Sequence, residues 1–341
     1  MKDEKWEDAV RVTTSSGIEL EYDTFGDPTD PAVLLVMGFG TQLLGWDAEF
    51  CRLLAATGRH VIRYDNRDCG LSTKHDDSPV DLTELIGALT AGDFDRARAM
   101  APYTLRDMAV DAISLLHELG IDRAHVVGSS MGGMIAQKTA IEFPDRVLSL
   151  TSMSSSTGEP EYGQPTPEAQ HVLLSPRPAD RDGYIAAAER DLVWASRRYR
   201  DPAALRALAA ASYDRSYYPA GIPRQLAAMI LDGSRADALR TLLVPTLVIH
   251  GQDDTAIDPS GGRRTAELAP GARLLLLEDM GHDRPPALLP SLVDAIYEHT
   301  QGGTAPDPGN LPLTYAQVAP QSSDSGKSSV QNDGMTTNAP S

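Results

Sequence analysis

Six short apolar runs are spaced along this chain, and they constrain its fold more than any other feature: Val33–Met37, His60–Tyr64, Ala124–Gly128, Val147–Thr151, Thr246–Gly251 and Arg273–Leu277. Each is rich in Val, Ile or Leu and bounded by Gly, Pro or Asp. A strand covered on both faces of a sheet has this composition, because neither face meets water. Amphipathic stretches separate the runs. In one of them Leu105, Met108, Ala109, Ala112, Ile113, Leu116 and Leu119 recur at three- and four-residue steps, which puts them on one side of a helix. Thr104 and Asp107 make a capping-box start for that helix, and Gly120 a stop. Alternation of strand and helix demands right-handed crossovers. The expected fold class is therefore α/β, a mainly parallel central sheet with helices on both faces. Ala9–Thr13 and Ile18–Tyr22 alternate with a period of two instead, the pattern of an antiparallel hairpin leading into the sheet.

Two segments break the alternation. Residues 155–241 contain no strand pattern, only Pro-punctuated loops and Ala- and Arg-rich helical stretches such as Tyr184–Arg197 and Pro202–Ala211. The segment leaves after one strand and returns before another, so it would sit above the carboxyl ends of the strands, where ligands bind in α/β folds. It is expected to be an inserted helical lid and not a second domain. Residues 301–341 are mostly Pro, Gly, Ser, Thr, Asn and Gln with no periodicity, too polar to offset the conformational entropy of ordering. The expected organisation is core (1–154), lid (155–241), core (242–300) and disordered tail (301–341).

Composition excludes several functions. Lys and Arg total 30 against 48 Asp and Glu, a formal net charge of −18, which disfavours nucleic acid and anionic bilayers as partners. Two cysteines, Cys51 and Cys69, cannot build a disulfide framework or a four-thiolate metal site. The opening MKDEKWEDAV lacks the apolar stretch of a signal peptide. No run approaches the roughly 18 apolar residues of a membrane span. The chain is expected to be cytoplasmic, with no integral membrane segment. Neither a dinucleotide-binding glycine pattern, nor a phosphate-binding loop, nor a metal-ligand spacing is present, so no metal and no organic cofactor is expected.

The strongest chemical signal is Gly128-Ser129-Ser130-Met131-Gly132. It matches G-x-S-x-G, the sharp strand-to-helix turn that lifts a serine hydroxyl above a sheet. The pattern by itself is weak, but a strand precedes it and a helical stretch follows. Ser130 is the expected nucleophile. A serine needs a base within hydrogen-bond reach, itself oriented by an acid. With this turn the order along the chain is serine, acid, histidine. The strand Thr246–Gly251 is followed by Asp253 and Asp254, and the strand Arg273–Leu277 by Met280-Gly281-His282. Either aspartate could be the acid, and His282 is the expected base. His250 lies inside a strand and is expected to be structural. Two backbone amides must hold the oxyanion of a tetrahedral intermediate. Met131, directly after the serine, and Phe39, in Gly38-Phe39-Gly40 after the strand Val33–Met37, are the expected donors. Trp46 is expected to line an apolar substrate pocket beside Phe39 and Met131.

With these residues in place, the chain resembles the α/β-hydrolase fold serine esterases over nearly all of residues 15–300. Arg63-Tyr64-Asp65-Asn66-Arg67-Asp68-Cys69-Gly70-Leu71-Ser72 is similar to the family's Y-D-x-R-G-x-G-x-S segment, with Asp68 standing where the family has Gly. Val248-Ile249-His250-Gly251-Gln252-Asp253-Asp254 resembles its H-G-x-x-D, which selects Asp254 over Asp253. Leu35-Val36-Met37-Gly38-Phe39-Gly40 and Tyr213-Asp214-Arg215-Ser216-Tyr217-Tyr218-Pro219-Ala220-Gly221-Ile222 resemble the actinobacterial LipG-type lipase/esterases, with aclacinomycin methylesterase-like hydrolases as cousins. The resemblance implies hydrolysis of carboxylic esters through an acyl-serine, and extends to phospholipid or thioester bonds. A small-molecule ester or lipid is the implied partner. Two other readings stay open. One is a cofactor-free haloperoxidase-like perhydrolase built on the same residues. The other is a ligand-binding protein that keeps the fold without catalysis.

Overall fold

The computed structural model describes residues 10–302 and the short strand Tyr315–Ala316. Its strands are β1 (Arg11–Thr13), β2 (Glu19–Phe25), β3 (Ala32–Val36), β4 (His60–Tyr64), β5 (Ala124–Ser129), β6 (Val147–Met153), β7 (Thr246–Gly251), β8 (Arg273–Leu277) and β9 (Tyr315–Ala316). They form one sheet in the order β1-β2-β4-β3-β5-β6-β7-β8-β9. From β4 to β8 every neighbouring pair is parallel, while β1 with β2, β2 with β4 and β8 with β9 are antiparallel. All six apolar runs are strands of the parallel part. The hairpin expected at the start is β1–β2, although Ala9 lies outside the described residues.

The helices of the core are α1 (Ala48–Ala55), α4 (Leu105–Glu118), α5 (Met131–Glu142), α11 (Ser260–Leu268) and α12 (Leu289–Thr300), with α2 (Leu82–Thr90) and α3 (Phe94–Ala99) between β4 and α4. Strand geometry sends alternate side chains to opposite faces, and β3 shows the result. Leu34 and Val36 join Leu105, Met108 and Ala112 of α4 and Ile135 of α5 on one side. Val33 and Leu35 join Phe50 and Leu54 of α1 and Leu292 and Ile296 of α12 on the other. Each such side chain contributes roughly 1.5–3 kcal/mol by leaving water. The capping box read at Thr104 is formed in both directions: the Thr104 hydroxyl accepts from the Asp107 amide, and Asp107 accepts from the Thr104 amide.

Residues 155–241 hold α6 (Pro167–Leu174), α7 (Arg181–Ala187), α8 (Pro202–Ser216), α9 (Ile222–Asp232) and α10 (Ala236–Leu239). The expected helix Tyr184–Arg197 is not continuous. It tightens to a 3₁₀ turn over Ala188–Val193 and then opens. The reason is that the backbone from Trp194 to Arg197 bonds outward to the core: the His282 amide donates to the Trp194 carbonyl at 2.7 Å, and the Ser196 and Arg197 amides donate to Asp283 and Asp253. A helix would consume those groups internally. The sequence reading also left α2 and α3 unassigned; they form a second excursion, whose Leu85 packs with Ala227 of α9. Of the expected tail, residues 303–314 and 317–341 lie outside the described residues. Among the described residues, no helix is long and apolar enough to cross a membrane.

Candidate active site

Ser130 sits between β5 and α5 with φ 60° and ψ −123°, a left-handed conformation that costs a non-glycine residue on the order of 1–3 kcal/mol. Two glycines make the turn possible. A Cβ on Gly128 would overlap the Gly132 carbonyl, and one on Gly132 would overlap the Val36 carbonyl of β3. The serine is held from behind, its amide donating to the Met153 carbonyl and its carbonyl accepting from Ser155 Oγ. Its side chain faces Gly38 of the loop after β3. Among the described residues, the Phe39 and Met131 amides donate to no protein acceptor, whereas the Gly40 amide between them in sequence donates to Gln225.

Asp254 and His282 come from the loops after β7 and β8. His282 Nδ1 lies 2.7 Å from Asp254 Oδ2. The other carboxylate oxygen accepts from the Ala256 and Ile257 amides, both at 2.9 Å. Asp254 is buried. Burial alone would push its carboxyl up, but the facing His282 and the hydrogen bonds from His250 and His282 prevail and hold it well below the usual carboxylate range. Asp253 points elsewhere, toward Arg197. The structure therefore joins Asp254 to His282, and it draws no hydrogen bond from Ser130 Oγ to the imidazole; such contacts commonly tighten only with substrate bound.

His250 is buried inside β7, as expected, and it also supports the site. Its Nε2 lies 2.9 Å from the Ile257 carbonyl and 3.4 Å from Asp254 Oδ2, so it braces the Asp254 loop. Trp46 corrects the sequence reading. It has no accessible surface, and its ring lies in the core between Phe50 and the Arg284 guanidinium. A side chain closed on both faces cannot line a pocket. Arg284 itself, just after His282, donates to Ser129 Oγ and to the Gly45 carbonyl, tying the histidine loop to the serine turn. Met131 buries its side chain in the core. Both thiols are buried and unpaired, with their pKa pushed up to about 12 by desolvation. Among the described residues no three His, Cys, Asp or Glu side chains converge as a metal site.

A contact set that the sequence left dark ties the 155–241 segment to these loops. Asp68, at φ 62°, accepts both arms of Arg224 at 2.8 and 2.9 Å. Arg215 reaches Asp65 and Gln42 at 2.7 and 2.8 Å. The one available signal was the aspartate at position 68 in a place the family gives to glycine. A cavity of about 400 Å³ bounded by Arg59, His125, Ser149 and His299 opens at the opposite end of the sheet, where β3, β5, β6 and β7 begin. Ser130, Asp254 and His282 all lie at the other end of the sheet, after β5, β7 and β8, where α/β folds place their ligands.

A model of the alpha/beta hydrolase fold family matches residues 31–283. The rhodomycin D methylesterase DauP of Streptomyces sp. (strain C5) is 30% identical over 86% of this chain and 99% of its own length. The rhodomycin D methylesterase DnrP of Streptomyces peucetius is 29% identical over the same shares. Among solved structures, a hydrolase from Pseudomonas aeruginosa PA01 superposes with a TM-score of 0.62 at 25% identity, covering 87% of this chain and 99% of that one.

Proposed function

Because this chain belongs to the α/β-hydrolase fold family, we propose that it is a serine hydrolase of carboxylic esters. The observation that carries the reading is the Asp254–His282 pair, 2.7 Å apart, at the same end of the sheet as a serine held in a left-handed turn. Ser130 Oγ attacks the acyl carbon while His282 Nε2 takes its proton, and Asp254 stabilises the imidazolium and fixes its orientation. The carbonyl oxygen, now an anion, is met by the Phe39 and Met131 amides. Collapse of the intermediate expels the alcohol, which takes the proton back from His282. Water then repeats the sequence on the acyl-serine and releases the acid. Residues 155–241 cover this end of the sheet in our reading. The two relatives, both rhodomycin D methylesterases, direct the substrate search to methyl esters.

Ser130→Ala is the test. It should remove turnover of p-nitrophenyl acetate and of such methyl esters, along with labelling by a fluorophosphonate probe. Activity surviving in the purified, folded variant refutes the nucleophile.

A further inference from the structure

Resting on that reading, we infer that Gln225 of the inserted segment is a positioning residue for the oxyanion loop, so that helix α9 belongs to the catalytic geometry. Gln225 is 1% exposed. Its Oε1 accepts the Gly40 amide at 2.9 Å and its Nε2 donates to the Arg67 carbonyl at 2.9 Å. Only this amide orientation satisfies both partners. The loop it grips, Gly38-Phe39-Gly40, has a glycine on each side of Phe39 and little rigidity of its own. Gly40 stands at φ 62°, and the space beside its Cα is filled by Ile222 of α9.

The loop is clamped at both ends. Asn66 Nδ2 donates to the Met37 carbonyl at 2.8 Å on one side. On the other, the Gly40 amide donates to Gln225, and in this proposal that contact sets the direction of the neighbouring Phe39 amide. Helix α9 is itself tied to the core. Arg224, next to Gln225, is paired with Asp68, and the Gly221 backbone abuts the Asp68 carbonyl. A further tie follows two residues along the loop, where Gln42 Nε2 donates to the Ser212 and Ser216 carbonyls at 2.7 and 2.8 Å.

Gln225 touches no reacting atom, so its loss should move the Phe39 amide without removing it. An amide off line weakens binding of the transition state more than that of the ester. Deleting a donor outright costs about 10²–10³ in kcat, and displacement should cost roughly 10–100-fold by the same principle.

The experiment compares wild type with Gln225→Met and Gln225→Leu, neither of which offers an acceptor to the Gly40 amide, on a short p-nitrophenyl ester. Active sites are counted by fluorophosphonate titration. The expected result is a fall in kcat per labelled site of roughly 10–100-fold, with KM within about threefold. Affinity for a trifluoromethyl ketone transition-state analogue should fall in parallel with kcat/KM. A purely structural role would lower the melting temperature and the count of active sites, leaving kcat per site unchanged; that outcome overturns the inference, as does a loss confined to KM. Should neither variant fold, amide hydrogen exchange in the wild-type protein decides: Gly40 protected and Phe39 fast supports the clamp, and equal rates overturn it. Turnover by Ser130→Ala would instead overturn the serine reading underneath.

Discussion

Asp254 is the residue whose surroundings say most about the chemistry. Its carboxylate has four partners, two amides and one imidazole from its own loop and strand and the His282 imidazole from the next loop, and it stays ionised far into acid. The Asp254 carboxyl should therefore add nothing to the pH dependence in the working range: log(kcat/KM) for a neutral ester is expected to fall with a slope no steeper than one as pH drops, and a slope of two would show that this carboxyl titrates there. Asp254→Asn should keep the shape while offering the imidazole a donor in place of an acceptor, and kcat is expected to drop roughly 10³–10⁴-fold. Much of this was legible in the sequence. Ser130, Asp254 and His282 are marked by short patterns because the strained turn and the strand-end loops need specific neighbours a few residues away. Trp46 was misread because an aromatic near an oxyanion loop looks the same in sequence whether it faces the pocket or the core.

At the level of elements, local patterns carried the strands, the capping box of α4 and the hairpin. The pairs joining α8 and α9 to the core carry no such trace, since Asp68 and Arg224 are 156 positions apart. Asp68 is held in a left-handed conformation that favours glycine, and what offsets that strain is a buried, two-armed ion pair. Removing one partner strands the other charge. Asp68→Ala is expected to destabilise by about 3–5 kcal/mol in urea unfolding. Asp68→Gly combined with Arg224→Leu removes both charges and relieves the backbone, and should recover most of that loss. A double variant as unstable as Asp68→Ala alone would show that the pair is not what holds α9.

For the whole molecule, acid stability has a definite origin at the end of the sheet away from the chemistry. His125 and His299 are buried there, with pKa values lowered to about 4 by desolvation, helped in His125 by the nearby Arg59. The unfolded chain protonates them near 6.5, so their contribution is intact above that pH and lost as pH falls toward 4. Each should cost about 1.4 kcal/mol at one unit below the unfolded value. The carboxyls of buried Glu21 and half-buried Asp283, raised by desolvation, act in the opposite sense, so wild type alone does not separate the terms. His125→Asn with His299→Gln keeps the hydrogen bonds to Ser149 and the Leu150 carbonyl and should flatten the melting temperature between pH 6.5 and 4. An unchanged profile would rule the histidines out. On this same scale, the backbone bonds from Trp194–Arg197 to the loops after β7 and β8, with Gln225 on the loop after β3, bear on how such chains diversify. An inserted segment that braces all three loops cannot be exchanged like a cartridge: a transplant from a relative would import a new specificity only if it also brought matching braces, so variation in this lineage should accumulate on α6 and α7 while α8, α9 and the 194–197 turn change slowly and together.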